Sequence, residues 1–290
     1  MMEVDSPSLI LYELNEVPPK LLEKYIAIKP ESIFAYLVKN GSYIKTITYD
    51  DGEELHPWST WPTVHRGVNN KDHNIRFINQ DLDCAKKWPP IWDVVAKSGL
   101  TVGVFGSLQS YPPIRDKNYN FYLPDTFAPD PKALPKKIER FQKFNLRLAS
   151  RNKAISRSFR SSDIIEFFII LFKGFISLKT LLTIIKHLFL EKINKKYSSL
   201  RSLMQPILGF DLYIKLLKFY KPRFSTFFTN HVAGMMHRYW CYTFPEDFDN
   251  RKDLLTDFHS DSIYKALDIA DSHLKQLLEF SEKYNYDIWI

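Results

Sequence analysis

The stretch Pro89–Gly106, PPIWDVVAKSGLTVGVFG, decides the fold class. Its first half, Pro89–Lys97, reads as a helix that Gly99 stops. Its second half, Thr101–Gly106, is a short apolar run of the kind that forms a strand covered on both faces of a parallel sheet. Upstream, Ser8–Leu14 (SLILYEL) is another such run, ending in polar residues. Val17–Ile28 (VPPKLLEKYIAI) then opens on prolines suited to a helix start and continues with helical spacing. A strand is expected at Tyr43–Tyr49. Downstream, helices are expected at Pro131–Leu148, Asp211–Tyr220 and Asp261–Tyr284, and strands at Phe224–Thr229 (FSTFFT) and in the closing YDIWI. This rhythm argues for a doubly wound α/β fold, a mostly parallel sheet sandwiched by helices. Ligands of such sheets bind beyond the carboxyl ends of the strands. Glu13–Glu16, Ser107–Pro113 and the residues after Thr229 are therefore the places to look.

Composition agrees with a globular chain: of 290 residues, 45% are hydrophobic and 25% charged, which suits one large α/β unit or a core with an insertion. The net charge of +7 is unevenly spread. Between Lys132 and Arg223 there are 21 Lys and Arg against 5 Asp and Glu, so a basic segment is grafted onto a mildly acidic core. Within it, Ser162–Lys192 is the most hydrophobic part of the chain. Glu166, Lys173, Lys179 and Lys186 interrupt it, so it falls short of a membrane span. The seven-residue spacing of Glu166 with Lys173, and of Lys179 with Lys186, fits a helix pair broken near Gly174.

The chain thus divides into an N-terminal part of the core (1–149), a basic amphipathic helical cap (150–205) and a continuation of the core (206–290). The cap either packs on the core or lies on a membrane through residues 163–196, lysines toward anionic headgroups. Specific nucleic-acid binding is not expected, because the aromatics here sit among Leu and Ile rather than alternating with bases. Cys84 and Cys241 have no metal or disulfide spacing and read as buried free thiols of a reducing compartment. The first residues carry acids where a signal peptide needs bases. A cytoplasmic protein, with or without membrane association, is the expectation.

Three segments carry candidate chemistry. In Glu54–Ile75, ELHPWSTWPTVHRGVNNKDHNI, Ser59 and Thr60 follow a proline and precede helix-compatible residues. A hydroxyl there sits near a helix N-terminus, which favours an anion and suits attack on phosphate or sulfate. Capping of the same helix by Ser59 or Thr60 is the plain alternative. At the end of the first strand, a carboxylate or amide among Glu13, Asn15 and Glu16 either binds a metal or caps the next helix. After the fourth apolar run, His231 and His237 are six positions apart and need not share a helical face. A metal or phosphate role and a simple polar loop both remain open.

Taken in order, these segments resemble the alkaline phosphatase superfamily, in particular its type I phosphodiesterase/nucleotide pyrophosphatase branch. STWPTVHRGV followed by DHNI looks like the hydroxyl-x-Pro segment of that branch. VGVFGSLQSYPP, FYLPDTFAP, FFTNHVAGMMHRYW and SIYKALDIADSHLKQLLEF are similar to segments that follow it. The resemblance runs from about residue 8 to 290, apart from roughly 150–202. It implies an alkaline phosphatase-like fold and hydrolysis or transfer of a phosphate or sulfate ester. Thr60 would be the nucleophile, with Ser59 its local rival, and Ser59, Thr63 and Arg66 would bind the anion. Asn15 and Asn230 would line the site, and His237 or His231 would act as ligand or general acid. A divalent metal, Zn or Mn, would assist, and the substrate would be an anionic small molecule or the phosphate ester of a glycan or lipid.

The departures are equally specific. Asn15 and Asn230 stand where the branch places metal-binding aspartates, and Gly234 where it places a histidine. No Asp-His-Gly follows the last strand. Two amides in place of carboxylates remove two negative charges, so the two-zinc centre of the family is not expected. Three expectations follow: the sequence is a piece of a longer chain, or its site is rebuilt from Glu13, Glu16, His231 or His237, or it is a non-catalytic relative that binds a phosphorylated or sulfated group. The first is compatible with either of the others. A peripheral membrane protein working through its cap is the alternative from another class.

Overall fold

The computed structural model describes residues 6–47, 56–152, 169, 174–248 and 257–290. Five strands form one sheet: β1 (Ser8–Leu14), β2 (Val102–Phe105), β3 (Tyr119–Leu123), β4 (Phe224–Thr229) and β5 (Tyr286–Trp289). All are parallel, in the order β3-β2-β4-β1-β5. Ten helices accompany them among the described residues: α1 (Pro19–Ile28), α2 (Ile33–Asn40), α3 (Pro57–Arg66), α4 (Asn70–His73), α5 (Ile91–Lys97), α6 (Glu139–Asn152), α7 (Leu178–Ile193), α8 (Met204–Tyr220), α9 (His231–Thr243) and α10 (Ser262–Tyr284).

Alternation along β1 assigns its two faces. Ile10 and Tyr12 enter the larger cluster with Leu21 and Tyr25 of α1, Phe210 and Tyr213 of α8, and Leu267 and Leu274 of α10. Leu9 and Leu11 face the smaller one, with Trp92 of α5, Val102 and Phe224. Cover on both faces is why these strands read as unbroken apolar runs. In α10, Ile263, Ala266, Leu267, Ala270, Leu274 and Leu277 form one buried stripe at helical spacing, and the helix closes on Asn285 in the left-handed region, φ 57°.

The described residues from Gly174 to Leu203 join this core. Ser177 caps α7 by accepting from Thr180 N at 3.2 Å. Phe175, Ile176, Ile184, Leu200 and Leu203 belong to the larger cluster. Gly174 takes φ 71° just before the helix, while of residues 163–173 only Ile169 is described.

Several expectations are corrected. Residues 43–47 are exposed and form no strand, and 48–49 lie outside the described residues. β3 and α2 were not foreseen. The helix expected from Pro131 begins at Glu139 after a 3-10 turn, and α8 starts at Met204 rather than Asp211. Cys84 is exposed and Cys241 half-buried, so the thiols are not core residues.

One close approach tests the packing. A Cβ at Gly103 would stand 2.2 Å from Phe121 Cζ on the neighbouring strand. Gly103→Ala is expected to destabilise by about 1–3 kcal/mol through overpacking, read as a lower urea midpoint at unchanged m-value. An unchanged midpoint would show that Phe121 yields freely.

Candidate functional site

The carboxyl ends of β1 and β4 lie side by side, and the ladder runs one bond further, from Asn15 N to Thr229 O at 3.1 Å. This brings Asn15 and Asn230 together. Asn15 Nδ2 donates to Asn230 Oδ1 at 2.6 Å. Asn230 is the N-cap of α9 by position, yet its side chain makes no capping bond because its oxygen is committed to Asn15. Asn15 Oδ1 in turn accepts from the indole Nε1 of Trp61 at 2.7 Å.

Glu16 completes this group. Its backbone is left-handed, φ 58°, a conformation that costs a non-glycine residue about 1–2 kcal/mol. The turn directs its carboxylate back over the strand ends, where Oε1 accepts from Asn15 Nδ2 at 3.1 Å and Oε2 meets His237 Nε2 at 2.8 Å. His237 is 69% exposed, so this imidazole stands at the solvent edge of the group.

Thr60 lies in the first turn of α3, half-buried, and its hydroxyl has no hydrogen-bond partner among the described residues. Its chain neighbour Trp61 anchors the turn, with the indole on Asn15 and its ring edge-on to Phe228 at 5.5 Å. The loop after β2 holds the same turn from another side, Gln109 Nε2 donating to Trp58 O at 3.3 Å. Pro57 at the helix start has no N–H to offer, and the N–H groups of Ser59 and Thr60 both go to His56 O at 2.9 Å. The pull of this terminus on an anion therefore comes mainly from the helix dipole.

Beneath Trp61 the helix turns Ser59, Pro62 and His65 toward the sheet at i, i+3 and i+6. His65 Nε2 lies 2.8 Å from Glu13 Oε1, both side chains being sealed from solvent. Glu13 Oε2 and Ser59 Oγ are buried without a partner among the described residues.

The remaining candidates are engaged elsewhere. Ile75 N–H donates to His73 Nδ1 at 3.0 Å, so the neutral ring carries its proton on Nε2 and directs it to Thr63 Oγ1, also at 3.0 Å. The Thr63 hydroxyl passes its own proton to Asn70 Oδ1 at 2.5 Å. Arg66, in the last turn of α3, binds the backbone oxygens of Ala85 and Trp88, and burial lowers its pKa. Neither Thr63 nor Arg66 joins the group around Asn15.

His231 is pinned between elements: Nε2 donates to Ala266 O at 2.9 Å and Nδ1 accepts from Thr229 Oγ1 at 2.7 Å. Both nitrogens are spent, and burial pushes its pKa down to about 4. Sequence reasoning missed Trp61 as the anchor and His65 as the partner of Glu13. The three-residue spacing of Ser59, Pro62 and His65 was the available signal for the second.

Acid sensitivity follows from these buried rings. At neutral pH His231 is neutral in both folded and unfolded chains. As pH falls below about 6.5 the unfolded chain takes up the proton first, and the folded one only near 4. Stability therefore declines between about pH 6.5 and pH 4, by roughly 3 kcal/mol for His231. Burial lowers the pKa of His273 and His73 as well, so they act in the same direction. Melting temperatures should be flat above pH 7 and fall through this window, and His231→Asn should flatten the fall. A Tm that holds to pH 4.5 would contradict it.

Among the described residues no group of three His, Cys, Asp or Glu could hold a metal ion. Glu16 and His237 supply two such donors beside two amides, which does not fit a two-metal centre. No protein-family model matches the chain, nor does any curated protein or solved structure.

Proposed function

We propose that the protein is a hydrolase or transferase of phosphate esters, or of sulfate esters, resembling the type I phosphodiesterases of the alkaline phosphatase superfamily, with Thr60 as nucleophile. The observation that carries this reading is the linkage of the Thr60 turn, through Trp61, to the Asn15–Asn230 pair at the carboxyl ends of the two central strands. A free hydroxyl in the first turn of a helix whose next residue is tied to the strand ends suits attack on an anionic ester. The left-handed backbone at Glu16 supports a function for this corner, since such conformations persist where geometry serves a site.

Thr60 would attack phosphorus, forming the Oγ1–P bond as the ester oxygen leaves. His237, steadied by Glu16, would take up the hydroxyl proton or return one to the leaving oxygen. The Asn230 amide N–H group, held in place by Asn15, would orient a phosphoryl oxygen. No step is assigned to a metal, because the donor set does not fit one.

A second reading is favoured by the amide pair itself. Asn15 spends its amide on Asn230, Glu16 and Trp61 and so fixes the Asn230 side chain, whose N–H group is left to meet a phosphorylated or sulfated ligand without turnover. Assays with bis-p-nitrophenyl phosphate and p-nitrophenyl sulfate, with and without Zn²⁺ or Mn²⁺, separate the two. Turnover lost in Thr60→Ala supports the enzyme. Inorganic phosphate binding without turnover in the wild type supports the binding protein.

A further inference from the structure

Helix α7 is built inside out. Its buried residues are Thr180, Ile184 and His187, whereas Leu178, Leu182, Ile185, Phe189 and Ile193 are between 52% and 70% exposed. At 100° per residue those five fall within roughly 80° of arc, about opposite the buried side. The stripe is therefore continuous, and it is not the side that holds the helix to the core.

The charges bordering it all have one sign. Lys179 and Lys186 flank the stripe along one side, Lys192 lies in the last turn, and Lys195 and Lys196 follow directly. The helix has a single acid, Glu191, which is turned inward and occupied: Arg201 binds it, and His187 Nε2 lies 3.0 Å from it without hydrogen-bond alignment. A groove of about 470 Å³, lined by Leu178, Lys179, Leu182, Thr183 and Lys186, places two ammonium groups beside apolar wall.

We propose that this face of α7 docks the protein on an anionic lipid bilayer, the helix lying in the plane of the interface. The leucines and Phe189 would enter the acyl boundary while the lysines meet phosphate headgroups. Charge complementarity selects this occupant. A second copy meeting the same face about a two-fold axis would bring the lysine rows together, and a nucleic acid would leave the apolar stripe unused. At 16 residues with three lysines α7 is not a spanning helix, and no described helix is long and apolar enough to cross a membrane. Docking here is independent of chemistry at Thr60 and survives if that reading fails.

Flotation of the full chain with vesicles tests it. Wild type should float with phosphatidylcholine vesicles containing roughly one third phosphatidylglycerol and stay at the bottom with phosphatidylcholine alone. Lys179→Ala/Lys186→Ala should weaken association about 30-fold, and Leu182→Glu/Phe189→Glu should abolish it. The altered side chains are exposed, so circular dichroism and Tm should stay as in the wild type. Three outcomes would overturn the proposal: no flotation of the wild type, flotation of the folded Glu variant like the wild type, or a wild-type dimer that the Glu substitutions split while vesicles are ignored.

Discussion

Replacing Thr60 by alanine is expected to lower kcat/KM for an activated phosphodiester by at least about 10³-fold. The change removes one methyl and a hydroxyl that bonds to nothing in the described structure, so the fold should be indifferent to it. Secondary structure and Tm serve as that control. Thr60→Ser keeps the hydroxyl and should retain measurable turnover, because the nucleophilic oxygen remains on the turn anchored by Trp61. Trp61→Phe keeps the hydroxyl but removes the indole N–H that ties this turn to Asn15. It should lower kcat more than it raises KM if position matters to attack. A Thr60→Ala protein as active as the wild type would remove Thr60 from the chemistry altogether. Ser59 is then the adjacent hydroxyl, although its oxygen is buried against the sheet.

The second large effect concerns stability. His65→Ala should destabilise by about 3–5 kcal/mol, because the buried Glu13 carboxylate loses its only hydrogen-bond partner among the described residues. For a chain of this size that corresponds to a Tm lower by roughly 6–20 °C. The double substitution Glu13→Leu/His65→Leu should recover much of the loss, since it removes the stranded carboxylate as well as its partner. A Tm within about 2 °C of wild type in His65→Ala would mean that water or a neighbouring group reaches Glu13 at little cost.

Much of the sheet is visible in local sequence. β1, β2 and β4 are short apolar runs because both faces are covered, and that signal depends on no distant residue, whereas β5 at the sheet edge turns Tyr286 and Ile288 inward and leaves Asp287 and Trp289 exposed. Two elements escaped for opposite reasons. Tyr43–Tyr49 is rich in the β-branched and aromatic side chains that favour strands, yet 43–47 form no strand, and Ile44 and Ile47 remain exposed. Tyr119–Leu123 mixes Asn with aromatics and looks like loop, but its backbone is captured by the edge of β2 and its phenyl ring fills the space left by Gly103. Pairing is a property of the edge offered, not of the segment alone.

The site was legible in the same measure. The strand-end position of Asn15, Glu16 and Asn230 follows from the strand assignments, whereas their meeting depends on β1 lying beside β4, which local sequence does not state. What occupies the two nitrogens of His231, whether Arg66 reaches an anion or a carbonyl, and which residue partners Glu13 are set by packing between elements far apart in the chain. No spacing rule encodes those choices.

The strand order has a consequence for how the molecule is made. Among the described strands β1 pairs with β4 and β5, so it has no described partner until Phe224–Thr229 has been synthesised. β2 and β3 can pair long before that. At roughly 5–20 residues per second the wait is on the order of 10–40 s. During that interval SLILYEL is an unpaired apolar strand with two open edges. The nascent chain should therefore depend on chaperone shelter during that interval, and the strand-end corner holding Asn15, Glu16 and Asn230 cannot assemble before β4 is made.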